Sequence, residues 1–217
     1  MKSLEVSIPV EPRITVKALL NIPDRSDSLV IFSHGSGSSR YSVRNKFVAE
    51  LLNKDGVSTL LADLLTEEED RLYENRFDIE LLTRRLVAVT NYARQYPDML
   101  NFSIGYFGAS TGAASAIKAA AIFKENIHAV VSRGGRPDLA KSALAEVTAP
   151  TLLIVGSLDQ HVLDLNRDAF GKMRCIKDFR IIEGASHLFE EPGKLFEAAH
   201  AATAWFQKYL AAHVEAK

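Results

Sequence analysis

A serine flanked by glycines two positions away on either side is the first candidate for chemistry. The stretch Gly108-Ala109-Ser110-Thr111-Gly112 lies between an apolar run that begins at Ile104 and an alanine-rich segment. We interpret it as a strand that turns sharply into a helix, with the Ser110 hydroxyl forced outward at the carboxyl end of a sheet. The two glycines have a steric reason, because a Cβ would crowd the tight strand–helix crossing. The pattern therefore predicts a serine nucleophile.

Two further residues supply what a serine nucleophile needs. A serine hydroxyl is a poor nucleophile unless a base takes its proton, and His187 stands in a loop after the last predicted strand. The imidazolium formed needs an oriented carboxylate, and Asp159 follows the preceding strand. Asp164 is close enough in the chain to compete for that role. We predict Ser110, Asp159 and His187 as a catalytic triad.

Acyl transfer also needs donors for a developing oxyanion. Thr111 follows the predicted nucleophile at the start of a helix, where its backbone N–H and the helix dipole favour negative charge. Ser36 follows His34-Gly35 in the loop after an apolar run, and its N–H is the expected second donor. The predicted oxyanion hole therefore consists of Ser36 and Thr111.

Apolar runs and amphipathic segments alternate along the chain and must position these residues. Residues 29–32 form a continuous apolar run, as in a strand buried on both faces. The alternation predicts a mainly parallel sheet with helices on both faces and its strand-to-helix loops at one edge. The predicted strands are 4–10, 14–22, 29–32, 57–61, 104–107, 128–131, 151–155 and 179–182. Helices are predicted after residue 40, at about 78–95, from 113, and at about 138–146, 165–173 and 194–212.

Length and composition restrict the class of protein. A chain of 217 residues with 47% hydrophobic residues suits one globular domain, 1–217. A formal net charge of −1 gives no basic face for nucleic acid, and the single Cys175 excludes an internal disulfide. Cysteine and histidine spacings do not suggest a metal site. The start of the chain lacks a signal-peptide pattern and no stretch could span a bilayer, so we expect a cytoplasmic monomer or homodimer without cofactor.

The motif at Ser110, with Asp159 and His187 after it in that order, resembles the α/β-hydrolase superfamily, most closely the small dienelactone-hydrolase-like enzymes. The resemblance covers nearly the whole chain. It implies an α/β-hydrolase fold with an eight-stranded, mostly parallel sheet whose first strands are antiparallel. It also implies the triad and the oxyanion donors Ser36 and Thr111. Dienelactone hydrolases use a cysteine where this chain has Ser110, so the scaffold and hydrolytic chemistry are implied but the diene-lactone substrate is not.

Residues around the predicted site indicate the kind of substrate. Lid domains of the superfamily are usually inserted after the sixth strand, where this chain has only the short loop 132–137, so we expect no lid. Arg40 and Arg133 lie in loops on the catalytic edge and can meet a carboxylate or phosphate of an anionic substrate. His161, close to Asp159, is a candidate for the pocket wall. The sequence thus predicts a serine hydrolase that cleaves small soluble carboxylic esters, thioesters or lactones.

Two other functions remain open at this point. The stretch from Gly35 to Arg40 follows a strand and opens a helix, and Asp63 ends the next strand, as in a dinucleotide-binding oxidoreductase. That motif needs a third glycine where this chain has Arg40, and it leaves Ser110, Asp159 and His187 unexplained. The other alternative is a non-catalytic hydrolase-fold protein that binds a small ligand.

Overall fold

The structure, a computed structural model, describes residues 1–211. One eight-stranded sheet has the strand order β1-β2-β4-β3-β5-β6-β7-β8. Strand β2 pairs antiparallel with β1 and β4, and all other neighbours are parallel. The strands are β1 Lys2–Glu11, β2 Ile14–Ile22, β3 Ser28–Ser33, β4 Ser58–Ala62, β5 Ser103–Ala109, β6 Ala129–Arg133, β7 Thr151–Gly156 and β8 Lys177–Ile182. The predicted sheet is confirmed, including its antiparallel start.

The helices cover both faces of the sheet. They are α1 Val43–Lys54, α2 Glu67–Asp70, α3 Ile79–Gln95, α4 Thr111–Phe123, α5 Ala143–Glu146, α6 Gln160–Lys172 and α7 Lys194–Ala211. Helices α1 and α7 contact each other and share one apolar cluster, whereas α3, α4 and α6 contribute to the cluster on the opposite face. Every residue of β3, β5, β6 and β7 is buried, because helices cover both faces of these strands.

Two predicted helices differ from the observed ones. Helix α6 begins at Gln160 instead of residue 165, because its buried face already starts with Val162 and Leu163. The segment predicted as one helix at 138–146 is a 3₁₀ turn, Pro137–Ala140, followed by α5. Lys141 between them has a φ of 53°, which interrupts the helix. The predicted end of the last helix, residue 212, lies outside the described residues.

The parallel arrangement from β4 to β8 brings the carboxyl ends of these strands to one edge of the sheet. The loops after β3, β5, β6, β7 and β8 therefore converge there. Between β6 and β7 the chain forms only the two short helical turns, with no inserted lid. Among residues 1–211, no helix is long and apolar enough to cross a membrane.

Candidate active site

Ser110 occupies a sharp turn between β5 and α4. Its φ of 51° and ψ of −124° are rarely adopted by a residue with a side chain, and such strain costs about 1–3 kcal/mol. The glycines on either side permit the close crossing. A Cβ on Gly108 would lie 2.5 Å from Cα of Ala113, and one on Gly112 would lie 2.2 Å from the backbone oxygen of Ser33. The turn thus holds Ser110, half-buried, at the carboxyl edge of the sheet.

His187 and Asp159 meet at the same edge. Asp159 follows β7 and His187 follows β8, and Nδ1 of His187 lies 2.6 Å from Oδ2 of Asp159. The Asp159 carboxylate is mostly buried, whereas the imidazole is about two-fifths exposed. Asp164, the competing acid in the sequence, is exposed on α6 and pairs with Arg167 at 3.1 Å. The structure therefore brings Asp159, and not Asp164, to His187.

The loop that carries His187 is fixed on both sides of the histidine. The Ser186 N–H donates to Oε2 of Glu191 at 3.0 Å. Hydrogen bonds from the Ser186 side chain and from its backbone hold the pKa of Glu191 below its usual value. Phe189, two residues after His187, is fully buried in the α1/α7 layer with a φ of 58°. An anchored aromatic side chain and a carboxylate clamp therefore restrict where the imidazole can lie.

The loop after β3 approaches Ser110 from the other side. The Ser36 N–H donates to Oγ1 of Thr111 at 3.0 Å, so the two predicted oxyanion donors are in direct contact. His34 is buried beneath them; its Nε2 accepts from the Leu64 N–H, and its Nδ1 lies 3.0 Å from the Gly35 carbonyl oxygen. Burial lowers the pKa of His34, which agrees with a neutral ring that carries its proton on Nδ1. His34 therefore links the loop after β3 to the loop after β4, and neither of its ring nitrogens is free to act on a substrate.

Ser110 and His187 line one cavity of about 250 Å³. Arg133, at the end of β6, reaches this cavity although its side chain is only 6% exposed. Its guanidinium forms no ion pair among the described residues, its Nε has no hydrogen-bond partner there, and it lies 5.5 Å from the ring centre of Phe189. The other residues around the cavity are Gly35, Ser36, Ser38, Ser42, Arg44, Asn45, Ala109, Gly134 and Leu188.

Within residues 1–211, the charge of Arg133 is therefore buried without a counterion. Burial lowers the pKa of Arg133 to about 10, with repulsion from Arg44 as a smaller cause. At neutral pH the guanidinium is still protonated, and an uncompensated buried cation is costly unless a ligand pairs with it. The cavity can consequently accommodate an anionic group beside Ser110.

The structure does not bring the other two predicted substrate-binding residues to this cavity. Arg40 forms an ion pair with Asp63, its guanidinium stacks on Tyr41, and it lines a neighbouring cavity of about 390 Å³. His161 is exposed on the first turn of α6 and is not among the lining residues. Their positions in the sequence predicted that both residues lie near the carboxyl edge of the sheet. In the structure, however, Arg40 is paired with Asp63 and His161 is exposed to solvent.

Asn45 is a cavity residue that the sequence interpretation missed. It is 2% exposed on α1, and its side-chain oxygen has no hydrogen-bond partner within residues 1–211. A signal was present, since Asn45 lies three residues before Val48 and seven before Leu52, on the buried stripe of an amphipathic helix. A polar residue on such a stripe needs a partner, and here it faces the cavity.

Comparisons with known proteins agree with this fold. The model of the dienelactone hydrolase family matches residues 16–211. A dienelactone hydrolase from Anabaena variabilis has 50% sequence identity and a TM-score of 0.93, over 96% of this chain and 98% of that one. Est1E from Butyrivibrio proteoclasticus, solved with ferulic acid, shares the fold with a TM-score of 0.81 at 19% identity, over 95% of this chain and 99% of that one.

Two curated relatives from Mycobacterium tuberculosis are longer proteins. Each is 50% identical over 210 residues, and the matched region is 97% of this chain but 47% of the relative. The chain thus spans about half the length of these relatives, whose names describe them provisionally as phosphoribosyl transferases. The family match covers most of the chain and agrees with the observed sheet. This chain belongs to the dienelactone hydrolase family of α/β hydrolases.

Proposed function

We propose that the protein is a serine hydrolase that cleaves small carboxylic esters, thioesters or lactones through an acyl-enzyme on Ser110. The observation that carries this proposal is the 2.6 Å contact between His187 and Asp159 beside a cavity that Ser110 and His187 both line. A cavity of about 250 Å³ without a lid suits a small acyl group.

Acylation begins when the Ser110 oxygen attacks the substrate carbonyl carbon and its proton passes to Nε2 of His187. Asp159 accepts a hydrogen bond from Nδ1, which fixes the tautomer and stabilises the imidazolium. The carbonyl oxygen becomes an oxyanion, to which the backbone N–H groups of Thr111 and Ser36 donate. The Ser36 N–H must then exchange the Thr111 hydroxyl for the substrate oxygen, or share its proton between them.

Collapse of the tetrahedral intermediate completes the first half-reaction. The imidazolium of His187 gives its proton to the leaving oxygen or sulfur, and the acyl group remains on Ser110. In the second half-reaction His187 takes a proton from water, and the resulting hydroxide attacks the acyl carbon. The same donors stabilise the second oxyanion, after which the acid product leaves and Ser110 regains its proton.

The substrate carries an anionic group that pairs with Arg133. The support is a protonated guanidinium that lines the cavity, is buried, and has no counterion within residues 1–211. A carboxylate or phosphate accepts charge-assisted hydrogen bonds from such a group. Phosphate-bearing esters are worth including among the substrates tested, because the Mycobacterium tuberculosis relatives carry names that involve a phosphoribosyl group.

Labelling with a fluorophosphonate tests the nucleophile. Intact-protein mass should increase by one adduct on the parent protein and remain unchanged for the Ser110→Ala variant, because only an activated serine attacks the phosphorus. A panel of esters, thioesters and lactones then identifies the substrate. No adduct on folded parent protein would favour the non-catalytic ligand-binding alternative instead.

Replacement of Arg133 tests the anion preference. For Arg133→Met we expect kcat/KM toward a small anionic ester to fall about 10- to 100-fold, as for the loss of a hydrogen bond to a charged group. The value for a neutral ester of equal size should change little, since the apolar side chain keeps most of the volume. Steady-state kinetics with both esters measure the ratio.

Arg136→Met is the matched control. Arg136 pairs with Asp138 through two hydrogen bonds and lies outside the lining of the cavity, so its removal should leave both kcat/KM values unchanged. If Arg133→Met lowered the two esters equally, or neither of them, the anion subsite would be rejected while the Ser110 chemistry remained open.

A further inference from the structure

Strand β8 is an open edge of the sheet, and we propose that it pairs antiparallel with β8 of a second copy of this chain. The two eight-stranded sheets would then join into one continuous sheet of sixteen strands. This pairing is isologous, since the same strand is used by both copies about a two-fold axis. The proposal concerns assembly and does not depend on the catalytic role of Ser110.

Three residues of β8 direct their backbone N–H and C=O groups away from β7, toward the position of a partner strand. The Thr151 N–H donates to the Ile176 carbonyl and the Ser157 N–H donates to the Ile182 carbonyl, so these two residues of the β8 region face β7. Residues two apart point to the same side, which places the backbone groups of Lys177, Phe179 and Ile181 outward. In agreement, the Phe179 N–H is not used by β7 and donates to the side chain of Asp178 at 2.8 Å.

A two-fold axis at Phe179 would pair the outward backbone groups of β8 with those of the second copy, and would also bring opposite charges together. In the dimer the Phe179 N–H exchanges the Asp178 carboxylate for the backbone carbonyl of the partner's Phe179, which frees that carboxylate. Phe179 and its symmetry mate then form a hydrogen-bonded pair, with Lys177 opposite Ile181 in the same way. The intervening Asp178 then lies opposite Arg180 in a non-hydrogen-bonded pair, where side chains approach most closely. The symmetry repeats this contact, so each dimer gains two ion pairs.

Asp178 and Arg180 have no ionic partners in the described part of a single chain. Asp178 and Arg180 are exposed, and neither forms an ion pair among residues 1–211. Lys177, the residue best placed to guard the edge with a charge, instead donates its ammonium group to the carbonyls of Phe170 and Met173 at the end of α6. Charges on an edge strand normally oppose such pairing, but here the two charges have opposite signs and face each other across the two-fold axis.

Apolar surface beside the strand supports the same contact. Ile181 is 40% exposed and Phe196 is 53% exposed, and an open groove of about 730 Å³ runs between β8 and α7. The opposite edge of the sheet differs, because β1 contains Pro9, which has no backbone N–H to donate, beside a register shift. The edge suited to pairing with a second copy is therefore β8, and that copy would cover its exposed apolar side chains.

Charge reversal and molar mass in solution test the pairing. Light scattering after size exclusion should give a dimer for the parent protein at micromolar concentration. Arg180→Asp and Asp178→Arg should each weaken the dimer at least about tenfold, because like charges then face each other twice. The double variant D178R/R180D should restore the parent affinity. A monomeric parent, or a double variant as weak as the single ones, would overturn the proposal.

Cysteine cross-linking tests the register in a Cys175→Ser background. Asp178→Cys protein mixed with Arg180→Cys protein should form a disulfide-linked dimer under mild oxidation, because the two positions face each other. Each protein alone should cross-link far less, since equivalent positions lie apart along the antiparallel pair. Equal cross-linking of the mixture and the separate proteins would contradict the register centred on Phe179.

Discussion

Asp159→Asn lowers kcat for ester hydrolysis by about 10⁴-fold at neutral pH, if the proposed triad operates. The carboxylate oxygen 2.6 Å from Nδ1 of His187 accepts a hydrogen bond from the proton that the imidazole must carry there. An asparagine amide in its place can donate to Nδ1, which moves the ring proton to Nε2. In that tautomer His187 cannot accept the proton of Ser110, although the fold and the cavity are retained. Steady-state kinetics with the best ester of the panel measure the loss.

Asp164→Asn is the matched control, since it makes the same change five positions along the chain. Asp164 is about 71% exposed and, in the part of the chain that the structure describes, forms an ion pair only with Arg167, so kcat should remain within twofold of the parent value. Circular dichroism should show both variants folded. A loss of less than tenfold for Asp159→Asn, or a larger loss for Asp164→Asn, would reject the assignment of the acid.

Gly112→Ala should lower the free energy of unfolding by about 3 kcal/mol or more. The added Cβ would lie 2.2 Å from the backbone oxygen of Ser33 and 2.5 Å from that of His34. Both obstacles are main chain and cannot rotate away, so α4 must move from the end of β3. Such a shift also displaces Ser110 and the N–H of Thr111, and hydrolysis should fall together with stability. Urea denaturation measures the first effect.

Gly171→Ala provides the comparison for this change. Gly171 lies in α6, and apart from its chain neighbours and the adjoining helix backbone no described atom lies within 4 Å of the position that a Cβ would occupy. Here alanine should raise the free energy of unfolding by about 0.5–1 kcal/mol, because it restricts the unfolded chain and favours the helix. Equal stability changes for the two variants would mean that the crossing at Gly112 tolerates a side chain.

Much of the fold was predictable because its signals are local. Continuous apolar runs predicted β3 and β7, and the glycine spacing around Ser110 predicted the turn between β5 and α4. The start of α6 was predicted too late, since the turn after Asp159 carries exposed polar residues that hide the first buried positions. The interruption at Lys141 was also missed, because a positive φ at a lysine leaves no mark in the sequence.

The sequence by itself determined the succession of strands and helices and the order Ser110, Asp159, His187, because apolar periodicity and glycine spacing act over a few neighbouring residues. Only the tertiary structure decided which polar side chains meet. It brought Asp159 to His187 in place of Asp164, buried Arg133 in the cavity while Arg40 paired with Asp63, and placed Asn45 beside them. These contacts join loops from strands far apart in the chain, so strand register and turn conformation, which no local pattern specifies, set them.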